Sequence, residues 1–501
     1  MNKISFVILF FLLTPCLAVA QVTPKEGVIL NYRLIGFSFP SPAQATTYRI
    51  EIAHGNINAN DSFKEHIIKT IEGTGNKIIA EVPSFGQQYT WRITYPDKKT
   101  PPAASELHHF STGIIPNADT AIFRLHIMEQ ATAYKDALVF SDGNKVLYDM
   151  KGNPVWYLPN IEGKIKEYSW VRDLQLTPRG TITFILDDHR IYEINYNGDI
   201  LWKGPDNEST NDGPPYHHQF TRLDNGHYMA LGTENVFWKL NSPIPKDGSL
   251  YSLFYHKTLA DSNDTKIYPA SLETLIEYDN SSHVVWRWEF MKYFKNSDLY
   301  YCKGEKGKPS LEAHLNAFYF DESAKVIYLS FKSISRIIKI SYPSGNVINT
   351  YGEILKPGTA IKENELFCHQ HSCRRSMQGY LYMYNNGCDL VHPPKVTMFQ
   401  EPLPGKHTLN KVWEYECSFD DYVPRAFSAA GNVLELPDNS LFVSMGTPYS
   451  KVFIVSRDKK ILWSAIPQKW NSTEKKWDIS PQYRAFIITN PKHIEKLIWN
   501  Q

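Results

Sequence analysis

Apolar and polar residues alternate in short runs along most of the chain, and almost no stretch carries the three-to-four spacing of a long helix. Thr47 to Ile52 and Tyr89 to Tyr95 alternate strictly, and Ile78-Ile79-Ala80-Glu81-Val82 is a short apolar run. Such runs predict strands, so the fold class is all-β. Beyond residue 120 the pattern repeats itself: a turn followed by an apolar pair and a tryptophan recurs at Met150 to Trp156, Tyr196 to Trp202, Asp279 to Trp286, Asn410 to Trp413 and Arg457 to Trp463. A sixth copy, Ser344 to Tyr351, ends in tyrosine. Between the copies lie strand pairs joined at Arg179-Gly180, Asn225-Gly226 and Gln378-Gly379, where glycine suits a tight hairpin. Six copies predict a six-bladed β-propeller over residues 120–501, because radial repetition of four-stranded sheets buries these faces without long open edges.

Residues 21–115 have a different texture, with strands at the spacing of a small β-sandwich. Tyr89-x-Trp91-Arg92 and the closing Phe110-Ser111-Thr112 resemble an immunoglobulin/fibronectin-III-like domain. Residues 1–20 read as a secretory signal peptide: Lys3, an apolar run from Ile4 to Leu13, and Ala18-Val19-Ala20 before Gln21. No later stretch is long and apolar enough to span a bilayer, so a soluble periplasmic or secreted protein without membrane insertion is expected. Leu13-Thr14-Pro15-Cys16 offers a weaker lipoprotein alternative.

Charge narrows the partners, since 53 Lys and Arg against 52 Asp and Glu leave no basic excess with which to compete for nucleic-acid phosphates. Once Cys16 leaves with the signal, five cysteines remain for an oxidising compartment: Cys302, Cys368, Cys373, Cys388 and Cys417. Cys368 and Cys373 are close enough to pair locally, which would pin the loop that carries His369 and His371. Zinc at Cys368-His369-His371-Cys373 is a lesser alternative because that spacing matches no common ligand pattern, and no metal is expected.

In a propeller the first strand of each blade lines the channel. Counting back a fixed interval from each hairpin reaches His218, His371, Arg172 and, from Ser440, Asn432; the lengthened fourth blade supplies His314. A single histidine is more often structural than functional, but strand packing does not call for imidazole at three equivalent positions. Asn316, two residues after His314, is expected to point the same way, and Lys332 to begin the return strand of that blade. Arg374 and Arg375 follow His371, at least one of them facing solvent. Several imidazoles, an ammonium and an amide suit an anion, and in particular sulfuryl or phosphoryl transfer.

These residues also carry a resemblance. Tyr216-His217-His218 with Leu223-Asp224-Asn225-Gly226, His314-Leu315-Asn316, Gln370-His371 with Tyr384-Asn385-Asn386-Gly387, and Tyr483-Arg484-Ala485 resemble the bacterial arylsulfate sulfotransferases, which are independent of PAPS. The resemblance implies His371 as the nucleophile that takes a sulfuryl group from a phenolic sulfate ester and, through a sulfohistidine, passes it to a phenolic acceptor in ping-pong fashion. It implies His218 and His314 as groups that stabilise the transferring sulfuryl, one of them also in proton transfer, Asn316 as a further hydrogen bond, and no cofactor; Lys332 is expected as the cationic partner, and the channel positions Arg172 and Asn432, with Asn316, to bind substrate. A homodimer is one option for an oligomeric state that the residues do not fix. Where the family places an arginine after a serine pair, this chain has Ser330-Phe331-Lys332, a point charge in place of a planar fork. A non-catalytic ligand-binding propeller, a sulfate-ester hydrolase and a polysaccharide-active enzyme are the competing readings.

Overall fold

The computed structural model describes residues 22–40, 47–96, 106–130, 133–167, 169–205, 215–239, 254–255, 267–293, 301–303, 309–311, 313–352, 366–387, 392–403, 408–419 and 429–500. The expected signal peptide, Cys16, the Pro101-Pro102 turn, Cys388 and the side chain of Cys302 lie outside the described residues. The chain is all-β apart from short helices, of which Asn60–Glu65 and Pro491–Trp499 are α-helical. Among the described residues no helix is long and apolar enough to cross a membrane. Two compact units divide at Gly113 and Ile114.

The first unit has a five-stranded sheet in the order Val28–Leu30, His108–Thr112, Gln88–Thr94, Tyr48–His54, Ile67–Gly73, and a two-stranded sheet of Leu34–Ser38 with Lys77–Glu81. Phe37 of the smaller sheet meets the buried Trp91 of the larger edge-on at 4.9 Å, and Tyr89 stacks on Phe110 at 5.3 Å. Tyr89 and Trp91, two residues apart, share a face and are buried, and Thr90 on the opposite face is buried too, so the expected alternation is not one of burial.

Among the described residues the second unit contains six sheets with a four-stranded antiparallel path, a propeller-like arrangement. Sheets two to six each run consecutively outward from a first strand: Val171–Leu176, Tyr216–Arg222, Leu315–Asp321, His371–Arg375 and Asn432–Glu435. Sheet one differs, because its first strand is Ala485–Ile488, supplied from the end of the chain against Leu138–Ser141. The first strands touch one another in succession, so the final strand closes the ring.

The repeated turn and tryptophan have a defined place in this ring. Trp156, Trp202, Trp286, Trp413 and Trp463 all lie on fourth strands. Four of these indoles donate to the turn before the fourth strand of the next sheet: Trp156 to Tyr196 O at 2.8 Å, Trp286 to Pro343 O at 2.6 Å, Trp413 to Arg457 O at 2.9 Å and Trp463 to Met150 O at 3.1 Å. The last of these joins sheet six to sheet one. Buried carboxylates tie the sheets as well. Glu193 of sheet two takes Arg222 and Tyr228 of sheet three, and Glu401 of sheet five takes Tyr328, Lys339 and Tyr351 of sheet four.

Candidate functional site

The histidines stand at the start of the first strands, where the backbone is irregular. The ladder slips between Tyr216 and Phe220, Leu315 and Ala317, and His371 and Arg374. Bulges of this kind re-aim side chains. His218 (φ 58°) and His314 (φ 60°) hold the left-handed conformation, whereas in the second and fifth sheets Asp173 (φ 56°) and Ser372 (φ 53°) hold it, one residue after Arg172 and His371. The fixed counting interval therefore finds the right turn of each strand but misaligns the positions by one residue. Left-handed backbone is costly for a non-glycine residue, and its clustering here is typical of functional sites.

Three imidazoles form a chain. His314 Nε2 lies 3.1 Å from His218 Nε2, and His218 Nδ1 lies 2.7 Å from His217 Nδ1, with ring centroids 4.8 Å apart in both pairs. Each of these contacts can hold one proton between two nitrogens. Burial pushes His218 well below the usual imidazole range, with its histidine neighbours adding to the effect, and burial pushes His217 down to about 3. His371 is 2% exposed, and burial, followed by the charges of Lys332 and Arg484 and the neighbouring His314, pushes it well below the usual range. It is therefore a neutral imidazole at neutral pH. Its Nδ1 lies 3.2 Å from His369 O, and Asn386 Nδ2 lies 2.6 Å from the same nitrogen. The His369 carbonyl favours a proton on Nδ1, which leaves the lone pair on Nε2, whereas the Asn386 amide, which can only donate, favours the opposite tautomer.

Lys332 does not begin the return strand: it follows the last residue of Val326–Phe331, in the turn to Arg336, and its backbone N–H donates to His314 O at 2.9 Å. Asn316 does not run parallel to His314, because the bulge between Leu315 and Ala317 breaks the alternation. It is fully buried and donates to Gln370 O at 2.8 Å, gripping the backbone next to His371. Arg172 joins the cluster through the Tyr483 ring, with its guanidinium 5.7 Å from the centroid and that ring 6.0 Å from His218. Asn432 instead serves the closure of the ring. Its amide donates to Ala485 O at 2.8 Å and accepts from Ala485 N at 3.2 Å, which holds the closing strand against sheet six.

Arg374 lines a separate cavity of ≈250 Å³ with Gln175, Gln219 and Phe318, further along the first strands, and Arg375 pairs with Asp321 at 3.3 Å. The local disulfide does not form. Cys368 is disulfide-bonded, but Cys373 is a free thiol packed in the core between sheets four and five. A bonded Cys368 also removes the zinc alternative, since a metal needs its thiolate.

Arg484, to which spacing along the chain assigns no role, is central to the site. It is 2% exposed, donates to Asp173 Oδ1 at 2.7 Å and Asn316 O at 3.0 Å, and its charge reaches His371. Among the described residues Arg484 Nε, Tyr483 OH, Asn316 Oδ1 and Asn386 Oδ1 are buried without a hydrogen-bond partner. Buried orphans are rare in folded proteins, and their concentration around the histidines marks a site built to receive polar groups. Asn386 and Tyr483 likewise have no role that the sequence alone reveals, because Asn386 acts through contacts to His371 and Ala430, and Tyr483 through rings and charges of other sheets.

The fold and site together define a propeller-like protein with a buried imidazole cluster in which His371 feels the charges of Lys332 and Arg484. Residues 252–401 match the family model "Arylsulfotransferase (ASST)", a span that contains His314, Asn316, Lys332 and His371. That match covers 150 of the 501 residues; it makes this part of the chain similar to the arylsulfotransferases and supports sulfotransferase activity as the general class. None of the curated proteins compared matches the chain. Among solved structures it is similar to a protein of unknown function from Bacteroides caccae, with 13% identity over 71% of this chain and 98% of that one and a TM-score of 0.40. It is also similar to BamB from Moraxella catarrhalis, with 9% identity over 68% and 91% and a TM-score of 0.30.

Proposed function

We propose that this protein is an exported aryl sulfotransferase that moves a sulfuryl group between phenolic oxygens through His371. The observation that carries the reading is a buried imidazole held neutral beside the charges of Lys332 and Arg484. A neutral Nε2 can attack sulfur, and the cations favour the negative charge carried by the sulfuryl oxygens. In the first half-reaction the Nε2 lone pair forms the N–S bond, the S–O bond to the aryl group breaks, and the phenolate leaves with the electron pair. It leaves as the anion, since the buried, neutral His218 has no acidic proton to give. In the second half-reaction neutral His218 takes the proton of an acceptor phenol, the phenol oxygen bonds to sulfur, the N–S bond electrons go back to Nε2, and the proton passes from the imidazole to solvent. Proton transfer of this kind contributes roughly 10²–10⁴-fold. Asn316 and Asn386 position the nucleophile, and Arg172 with Tyr483 borders the imidazole chain. The N-terminal leader directs the chain to the periplasm in this reading.

The test is release of phenol from a chromogenic aryl sulfate, with and without a second phenol, by the wild-type protein and by His371→Ala. Release that depends on the acceptor and disappears in the variant supports the reading. Release that is indifferent to the acceptor points to hydrolysis, and release that persists in His371→Ala removes His371 as the nucleophile.

A further inference from the structure

A second cavity, of ≈230 Å³, is lined by Phe123, Lys145, Glu167, Trp170 and Lys469 among others. Its lining includes Val171, which precedes Arg172 in the chain, and Pro481, two residues before Tyr483. Its volume lies a little below the roughly 300–1,000 Å³ of ordinary small-molecule pockets, which suits a compact ligand.

Three observations concern Lys145. It is 2% exposed, a rare position for a lysine, because burying an ammonium costs solvation. Its Nζ donates to Glu167 O at 2.9 Å and Ser169 O at 3.0 Å, so two of its three N–H groups meet neutral carbonyls, and among the described residues it forms no ion pair. The other cavity lysine is already neutralised, since Lys469 Nζ lies 2.9 Å from Glu167 Oε1. Lys145 also sits on a braced hairpin. A Cβ on Gly143 would meet Pro481 O at 2.1 Å, and Asn144 Oδ1 accepts from Ser480 Oγ at 2.7 Å. Beside this ammonium the Trp170 ring is 48% exposed, and Phe123 adds a second aromatic wall.

We infer that this cavity is a binding site for a compact aromatic anion, its carboxylate or sulfonate on Lys145 and its ring against Trp170. Burial pulls the Lys145 ammonium down to about 8, against partial support from Asp142, Glu167 and Asp187, so it is mostly charged at pH 7 and gains from an anionic partner. The site goes beyond sulfuryl transfer at His371 and is measured without turnover.

The experiment is titration calorimetry at pH 7 with naphthalene-2-carboxylate and its neutral isostere naphthalene-2-carboxamide. For wild-type protein the carboxylate binds about tenfold tighter, as expected for one partly desolvated charged hydrogen bond. Lys145→Met removes that preference while the carboxamide still binds, and Lys145→Arg keeps part of it. Trp170→Ala, at an exposed loop position, weakens both ligands and keeps the inference testable if Lys145→Met does not fold. Equal affinity for the two ligands, no binding of either, a preference that survives Lys145→Met, or wild-type affinities in Trp170→Ala would each overturn the inference.

Discussion

Arg484 Nη1 and Asp173 Oδ1 lie 2.7 Å apart with both residues buried, so the strand that closes the ring is anchored to the first strand of sheet two by a charge pair shielded from water. The same guanidinium reaches Asn316 O of sheet four, spanning the channel. Asp173 also accepts from Phe220 N of sheet three at 3.0 Å. Asp173→Ala leaves a buried guanidinium without its counter-charge and is expected to destabilise the protein by about 3–5 kcal/mol. Urea unfolding measures this. Asp173→Leu combined with Arg484→Met is expected to be less harmful to stability than Asp173→Ala alone, while removing the Arg484 charge from the field of His371.

The charge of Lys332 adds to burial in disfavouring the imidazolium form of His371. Burial and Lys332 both disfavour the imidazolium, so the folded-state pKa lies below the usual value near 6.5, and His371 stays neutral until pH falls well under it. The acid limb of kcat/KM is therefore expected well below pH 6.5. Lys332→Met removes one of the depressing charges, raises the His371 pKa, and moves that limb to higher pH. It also lowers kcat/KM at pH 7.5 by roughly 10²-fold through the loss of a cation from the transferring group. Lys332→Arg keeps the limb in place. A pH–rate profile of the three proteins decides the matter, and an unmoved limb in Lys332→Met would show that Lys332 does not set the charge state.

Much of this architecture is legible in the sequence because it is written locally. The turn-and-tryptophan copies mark fourth strands, since Trp156, Trp413 and Trp463 each reach the next sheet's turn, and such contacts recur wherever the repeat does. The histidines are legible for the same reason, each near the start of a first strand. What sequence spacing does not show is the effect of bulges. They put Asp173 and Ser372, rather than Arg172 and His371, in the conformation of His218, and turn Asn316 toward Gln370. Arg484 reaches Asp173, 311 residues away in the chain, and Asn386 reaches Ala430, 44 residues on, relations with no local signature. Cys368 and Cys373 do not pair, despite their closeness in the chain, because Cys373 belongs to the buried core between two sheets.

Asn386 fixes the ring that does the chemistry. Its Nδ2 lies 2.6 Å from His371 Nδ1 and donates to His369 O at 2.9 Å and Ala430 O at 3.2 Å, so one amide braces the imidazole and both flanking backbones. Asn386→Ala frees the ring to rotate, and a displacement near 1 Å at a reacting atom costs roughly 10²-fold in rate. The expected signature is a fall in kcat with little change in KM. Nitrogen-15 NMR of His371 adds a readout that stability alone would not move: loss of the amide N–H beside Nδ1 is expected to shift the neutral ring toward the tautomer with its proton on Nδ1. An unchanged tautomer together with an unchanged kcat would leave Asn386 a purely structural residue.

The tryptophan repeat yields a paired test of what closes the ring. Trp463 is fully buried and gives its indole N–H to Met150 O of sheet one, whereas Trp202 Nε1 is buried with no acceptor among the described residues, although its ring stacks on Tyr228 at 3.8 Å. Replacing either by phenylalanine removes similar apolar area, but only Trp463→Phe also breaks a hydrogen bond and orphans a carbonyl, at about 1–3 kcal/mol. Trp202→Phe deletes a donor that was already unsatisfied, so part of its packing loss is recovered. Trp463→Phe is therefore expected to be the more destabilising of the two in urea unfolding by about 1–2 kcal/mol. Equal losses would mean that the closure rests on the strand pairing of Ala485–Ile488 with Leu138–Ser141 and on the Arg484–Asp173 pair, and that the indole contacts follow from closure without securing it.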